Sequence, residues 1–349
     1  MPYQQQAEGE IKMKHSTRLH LKGNQQGVAL LTILLMVVTA TILAVGLLTR
    51  QDRMLRETSV LLRQDQSLQY ALAGESVVGA GLMQSAKLNT GADSLKDEWA
   101  KPRPPIPIED AVINVRIIDQ SGKFNLNNLY LAADTDKAAN LAYFKRLLKE
   151  VGIDPEAASA VLDWEDANDE PTGSLGAESS FYLGQNPPYL AANRLFGQPE
   201  ELRKVRGFEG AKYNLIAPYI TALPSASKIN VNTAPAVVLA ALDDSLTVND
   251  MTAFVTQRAG ATTPIIKSAA AFLNDSSFSK IPLTPPEQRN NIQKLIDVKS
   301  NYFQAWINVN SNGRERFLTS DLVRTSQSVT AWQRSFAPIP YFSVKPGGS

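Results

Sequence analysis

The segment DWEDANDEPTGSLGAESSFY at 163–182 gathers Asp163, Glu165, Asp166, Asn168, Asp169, Glu170 and Glu178. Side-chain oxygens at this density are suited to a hard divalent cation. Asp166, Asn168 and Glu170 alternate like the oxygen ligands of a looped calcium site. Pro171, Gly173 and Gly176 let the chain turn, and Glu178 comes back late as a bidentate ligand. The spacing is not that of an EF-hand, whose central glycine is absent. Acidic loops are commonly no more than solvated, so the residues alone leave both readings open.

Other chemistries are narrowed by what the chain lacks. It has no cysteine, and its two histidines, His15 and His20, both precede a long apolar run. The body beyond that run therefore has no Ser-His-Asp or Cys-His arrangement and no usual zinc ligands. An enzyme using Asp163 or Asp166 would need a pocket that two carboxylates on one loop do not supply. A formal charge of +1 over 349 residues argues against a dominant nucleic-acid role. Residues 229–260, followed by 265–273, have the pattern of a helix-hairpin-helix. Its turn, DDSLTVND, carries Asp243, Asp244 and Asp250 and no glycine, and those charges repel phosphate.

The elements that must position the acidic loop begin with the apolar run. Residues 28–48 carry no charge, and Gly27 stands directly before them. As a helix this run is roughly 31 Å long, enough to cross a bilayer core. Lys12, Lys14, Arg18 and Lys22 precede it, which places that end in the cytoplasm and the bulk of the chain outside. A cleaved secretory signal would be shorter and would close on small residues, which Val45–Leu48 does not offer. A single-pass anchor is what these residues alone support. Met54, Leu61 and Leu68, then Leu72, Val78 and Leu82, extend an apolar helical face beyond it. We read its second half as packed on the chain's own domain.

KPRPPIPIED (101–110) predicts an extended linker. Ile113, Val115 and Ile117 alternate as a strand, Asp119–Gly122 predicts a turn, and Phe124 and Leu126 would begin the return strand. Short helices are predicted at 136–151, 155–167, 199–206, 234–242, 248–259, 267–273 and 285–297, with Pro155 and Pro235 in first turns. Strand character returns at 302–310, turns at Asn312-Gly313, and continues through RERFLTSDLVR and 330–339. The final VKPGGS reads as loose. Beta pieces flanking a helical stretch make the fold class α+β: a small antiparallel sheet interrupted by a helical subdomain.

A basic leader ending in glycine, an uncharged span, an amphipathic helix and a sheet is a layout that resembles type IV pilins and pseudopilins. QQGVALLTILLM resembles a prepilin cleavage region cut between Gly27 and Val28. LLRQDQSLQYALAGE, DQSGKFNLNNL, DWED and INVNTAPAVVL, in that order, resemble the K-type minor pseudopilin of type II secretion systems. The resemblance implies a pilin-like fold, a long N-terminal helix plus a small antiparallel sheet, with a large helical subdomain inserted in the sheet. It implies cleavage and N-methylation by the prepilin peptidase. It also implies assembly with I-type and J-type minor pseudopilins at the tip of the periplasmic pseudopilus, on the inner-membrane assembly platform, and support for export of folded proteins across the outer membrane. It implies no enzymatic activity and no nucleic-acid partner. It adds Asp163 to Asp166, Asn168, Glu170 and Glu178 as calcium ligands, with Asp163, Trp164, Asp166 and Glu178 matching most clearly and Trp164 read as core.

On this reading 1–27 is a cleaved cytoplasmic leader, 28–48 the inner-membrane span, and 49–100 a soluble helix and linker. Residues 101–127 begin the sheet, 128–298 are the insert, and 299–349 complete the sheet in the periplasm. The fifth residue after the cut is Thr32, where most pilins have Glu. A buried carboxylate in a membrane needs a partner, whereas Thr can bond back to its own helix. The K-type subunit is the one that lacks this Glu, so Thr32 marks a subunit that starts the filament. The alternative is an uncleaved single-pass envelope protein with a helical ligand- or calcium-binding periplasmic domain.

Overall fold

The computed structural model describes residues 25–88, 91–260, 264–282 and 286–339. Most of the leader, including its basic residues, and the final VKPGGS lie outside the described residues.

The first helix, α1 (Gln25–Leu88), joins the apolar run and the amphipathic stretch without a break. Its part up to Asp65 forms a unit of its own. Among the described residues it is the one helix long and apolar enough to cross a membrane. Met54, Leu55, Leu61 and Leu62 on it are exposed.

Beyond Gln66 the same helix turns an apolar stripe inward, as its second half predicts. Ala71, Val78 and Leu82 are buried against a sheet. Gly74 allows the approach: a Cβ there would stand 3.2 Å from Ile307 Cγ2 and 3.4 Å from Ile113 Cγ2. Glu75 closes the seam through a two-pronged ion pair with Arg334, at 2.7 and 2.8 Å.

The strands in chain order are β1 (Ile106–Ile108), β2 (Ala111–Asp119), β3 (Phe124–Asn125), β4 (Ile220–Thr221), β5 (Ile229–Asn230), β6 (Ile296–Asp297), β7 (Tyr302–Ser311), β8 (Arg314–Arg324) and β9 (Val329–Ser335). Five of them form an antiparallel sheet in the order β1-β2-β7-β8-β9. Phe303, Ala305, Ile307 and Val309 face α1, with Trp99 edge-on to Phe303 at 5.2 Å. Gln304 and Trp306 alternate with them on the other face, as the period of two requires. Asn312 and Gly313 take φ of 51° and 78°, the positive pair that an Asn-Gly hairpin turn needs.

Two expectations are corrected. The proline-rich linker is not wholly irregular, since Ile106–Ile108 adds an edge strand, where Pro107 costs no central ladder bond. Phe124 does not return along β2. Phe124–Asn125 pairs parallel with Ile220–Thr221 instead, because Phe124 is fully buried among Tyr143, Phe144 and the rest of the insert core. The insert thus leaves the sheet at Asp119 and rejoins it at Tyr302.

Its helices are α2 (Asn128–Leu131), α3 (Asp134–Glu150), α4 (Ala158–Glu165), α5 (Ser179–Tyr182), α6 (Lys212–Ile216), α7 (Ala236–Ala240), α8 (Val248–Ala259), α9 (Ala269–Leu273) and α10 (Glu287–Leu295). Pro155 opens a 3-10 turn before α4, and Pro235 is the N-cap of α7 rather than a first-turn residue. The Asp-rich turn before α8 satisfies itself: Asp243 accepts from the Ser245 amide and hydroxyl, and Thr247 caps the Asp250 amide.

Where insert meets sheet, polar groups are buried and paired. Asp93 and Arg324, both nearly inaccessible, form an ion pair at 2.6 Å. Asp119 accepts from Ser300 Oγ at 2.6 Å, Thr233 Oγ1 at 2.5 Å and the Ser121 amide at 2.8 Å. Asn230 donates to Ser300 Oγ and to the Asp93 carbonyl. Burial outweighs these bonds and pushes the Asp119 carboxyl up to about 6.

Candidate metal centre

Helix α4 is almost entirely apolar or small, ASAVLDWE, and seven of its eight residues are buried. Its last turn and C-cap carry Asp163, Glu165 and Asp166. Carboxylates at a helix C-terminus oppose the macrodipole, an arrangement that a bound cation offsets.

Asp163, fully buried, organises the loop that follows. Both of its oxygens accept from the Thr172 amide, at 3.0 and 3.1 Å, and Oδ2 also accepts from the Ala177 amide at 2.7 Å. Gly176 must pass beside it, since a Cβ there would lie 2.6 Å from Asp163 Oδ2. Arg206 holds this crossing from outside, donating to the Gly176 carbonyl at 3.0 Å while its guanidinium lies over Phe181 at 4.8 Å.

The loop returns Glu178, the N-cap of α5, to Asp163 and Asp166. One oxygen of each of these three side chains lies within 4.8 Å of the others. Glu178 is only 1% exposed, and neither carboxylate oxygen has a hydrogen-bond partner. Burial, then the charges of Asp163, Asp166 and Asp169, push its carboxyl up to about 7. Asp166 is raised as well, mainly by burial. A buried carboxylate without a donor, facing two more, is an expensive arrangement unless a cation joins it.

Of the five predicted ligands, the fold brings together Asp163, Asp166 and Glu178. Glu170 is exposed and not part of the carboxylate cluster, and Asn168 Oδ1 accepts from the Glu170 amide at 2.7 Å. Asp166 and Asn168 make successive local turns, each accepting from the backbone amide two residues on. Trp164 is core, 3% exposed and edge-on to Tyr182 at 5.2 Å. Glu165 is buried too, and burial pushes its carboxyl up to about 8, but it is not one of the three. Sequence reasoning missed Arg206, which no local pattern links to a loop thirty residues earlier.

On α1, Gly27 and Val28 lie inside the continuous helix and are exposed. Thr32 Oγ1 donates to the Ala29 carbonyl at 2.9 Å, the back-bond its hydroxyl makes possible.

Residues 122–225 and 229–293 match two family models, each described as type II secretion system (T2SS), protein K. Type II secretion system protein K of Pseudomonas aeruginosa is 33% identical over 317 residues, covering 87% of this chain and 90% of the relative. The protein of the same name from Aeromonas hydrophila is 31% identical over 298 residues, covering 80% and 87%. A chain in the crystal structure of the GspK-GspI-GspJ complex from enterotoxigenic Escherichia coli is similar with a TM-score of 0.71 and 23% identity, over 81% of this chain and 100% of that one. At that identity the likeness is one of fold: a pilin-like helix and antiparallel sheet carrying a helical insert.

Proposed function

The chain belongs to the type II secretion system protein K family, and we propose that it is the minor pseudopilin at the tip of the pseudopilus. There it assembles with I-type and J-type minor pseudopilins and supports export of folded proteins. Its role is structural rather than catalytic. The observation that carries this reading is the family likeness running over nearly the whole chain together with the apolar first part of α1. The apolar helix sits in the inner membrane and the body in the periplasm. The prepilin peptidase cleaves between Gly27 and Val28 and methylates the new terminus. Sequencing the N-terminus of the protein purified from membranes is expected to give methylated Val28. An intact leader would instead support the uncleaved envelope protein.

Thr32 suits a subunit that begins the filament. Its hydroxyl is satisfied within its own helix, so it needs no neighbour's amine in the membrane. If Thr32→Glu left tip assembly and secretion unchanged, that role would be lost.

The acidic loop fits a calcium ion. The unpartnered, buried oxygens of Glu178 converge with Asp163 and Asp166, and a hard, all-oxygen donor set matches this cation. The ion's contribution is charge neutralisation that ties the loop to α4. Thermal unfolding with calcium and with chelator tests it: a higher midpoint with calcium is expected, and identical midpoints would remove the site.

A further inference from the structure

The uncharged run in the first part of α1 ends at Leu48, and the helix continues past it without a break. Arg50 and Arg53 follow on the same helix, and both are exposed. At about 1.5 Å of rise per residue they stand roughly 3 and 7.5 Å beyond Leu48. The polar headgroup layer on each side of a bilayer is about 5–7.5 Å thick. With Leu48 at the edge of the hydrocarbon, Arg50 lies inside that layer and Arg53 at its outer margin.

The two arginines form one patch. They are about 60° apart around the helix and roughly 4.5 Å apart along it, and like charges at this spacing repel. The residues three and four positions from Arg50 are Gly46, Leu47, Arg53 and Met54, so no acid on the helix can answer it. Arg53 has Glu57 four positions later, with the acid after the base, which is the weaker order for a helical pair. Among the described residues neither arginine makes an ion pair within 4.0 Å. Arg56 is different: it stands roughly 12 Å beyond Leu48, above the headgroups. It also has Asp52 four positions before it, in the favourable order. The uncompensated charge is therefore at headgroup height.

Arginine suits a phosphate there. Its planar fork stays charged and donates to two phosphate oxygens at once. Its aliphatic stem lies against apolar surface while the head stays among polar groups. A phosphate diester without an ammonium carries the complementary charge, whereas a choline headgroup neutralises its own phosphate. An anion seated between the arginines also relieves their repulsion.

We infer that Arg50 and Arg53 together bind the phosphate of an anionic phospholipid, of the phosphatidylglycerol class, in the leaflet next to the soluble body. This rests on the membrane placement of α1 proposed above.

The full chain, reconstituted in nanodiscs of equal phosphatidylglycerol and phosphatidylcholine, tests it when the lipids kept by the protein are counted by native mass spectrometry. Phosphatidylglycerol should be retained over phosphatidylcholine by about threefold or more. The preference should disappear in the double variant Arg50→Gln/Arg53→Gln. It should persist in Lys87→Gln/Lys212→Gln, which removes as much exposed charge far from the span. It should also persist in millimolar inorganic phosphate, whereas its loss there would mean a free-anion site instead. Equal retention of both lipids by the inserted parent chain, or a preference unchanged in the arginine variant, would overturn the assignment. Insertion is read separately, by flotation with phosphatidylcholine vesicles. A parent chain that does not float would overturn the membrane placement, and this inference with it.

Discussion

At the scale of single residues, two buried carboxylates govern what can be measured. Glu178 has no donor of its own, so under the calcium proposal its contribution to stability runs through the ion. In Glu178→Gln the calcium-dependent rise in unfolding midpoint should largely vanish, with little change in chelator. For the parent chain, calcium at about a hundred times its dissociation constant adds roughly 2.7 kcal/mol, a shift of several degrees. Asp119 is held by hydroxyl and amide donors, with Asp93 the like charge beside it and Arg324 already paired to Asp93. Its folded pKa of about 6 lies above the 3.8 of an aspartate in the unfolded chain. The neutral form is thus favoured by folding. Its contribution is complete below the lower value and is lost as pH rises towards the upper one, on the order of 3 kcal/mol in all. Asp119→Asn should remove that slope. Urea midpoints taken in chelator between pH 4 and pH 6 should fall less steeply in the variant than in the parent. Equal slopes would mean that Asp119 does not carry the effect.

At the scale of elements, α1 depends on a small residue where it crosses the sheet. Gly74→Leu would drive side-chain atoms into Ile307 and Ile113 and should cost roughly 1–3 kcal/mol by overpacking, read as a lower urea midpoint. An unchanged midpoint would show that the helix shifts freely. The elements legible in the sequence were those whose signal is local. The Asn312-Gly313 hairpin is one, fixed by positive φ at adjacent residues. Another is α8, whose predicted span 248–259 is the one observed, since Thr247 caps it. What depends on distant partners was not legible. Nothing near Phe124 reveals that it pairs with Ile220, or near Pro107 that its neighbours join β2. The acidic loop shows both cases at once. Asp163 and Asp166 share a helix end, so their proximity is local. Glu178 reaches them as Gly176 passes against Asp163, whereas the evenly spaced Asn168 and Glu170 are exposed on local turns of their own.

At the scale of the whole molecule, the insert is joined to the pilin-like sheet through buried, paired groups rather than a bare linker. Asp93, Asp119, Ser300 and Arg324 link the segment after α1, the end of β2, the start of β7 and the end of β8. We propose that this chain caps a pseudopilus together with its I-type and J-type counterparts. Coexpressing the full chain with those two pseudopilins from the same organism, followed by affinity capture and size-exclusion chromatography in detergent, tests it most directly. One species containing all three proteins is predicted. Elution of this chain alone, with both counterparts folded and present, would contradict the account.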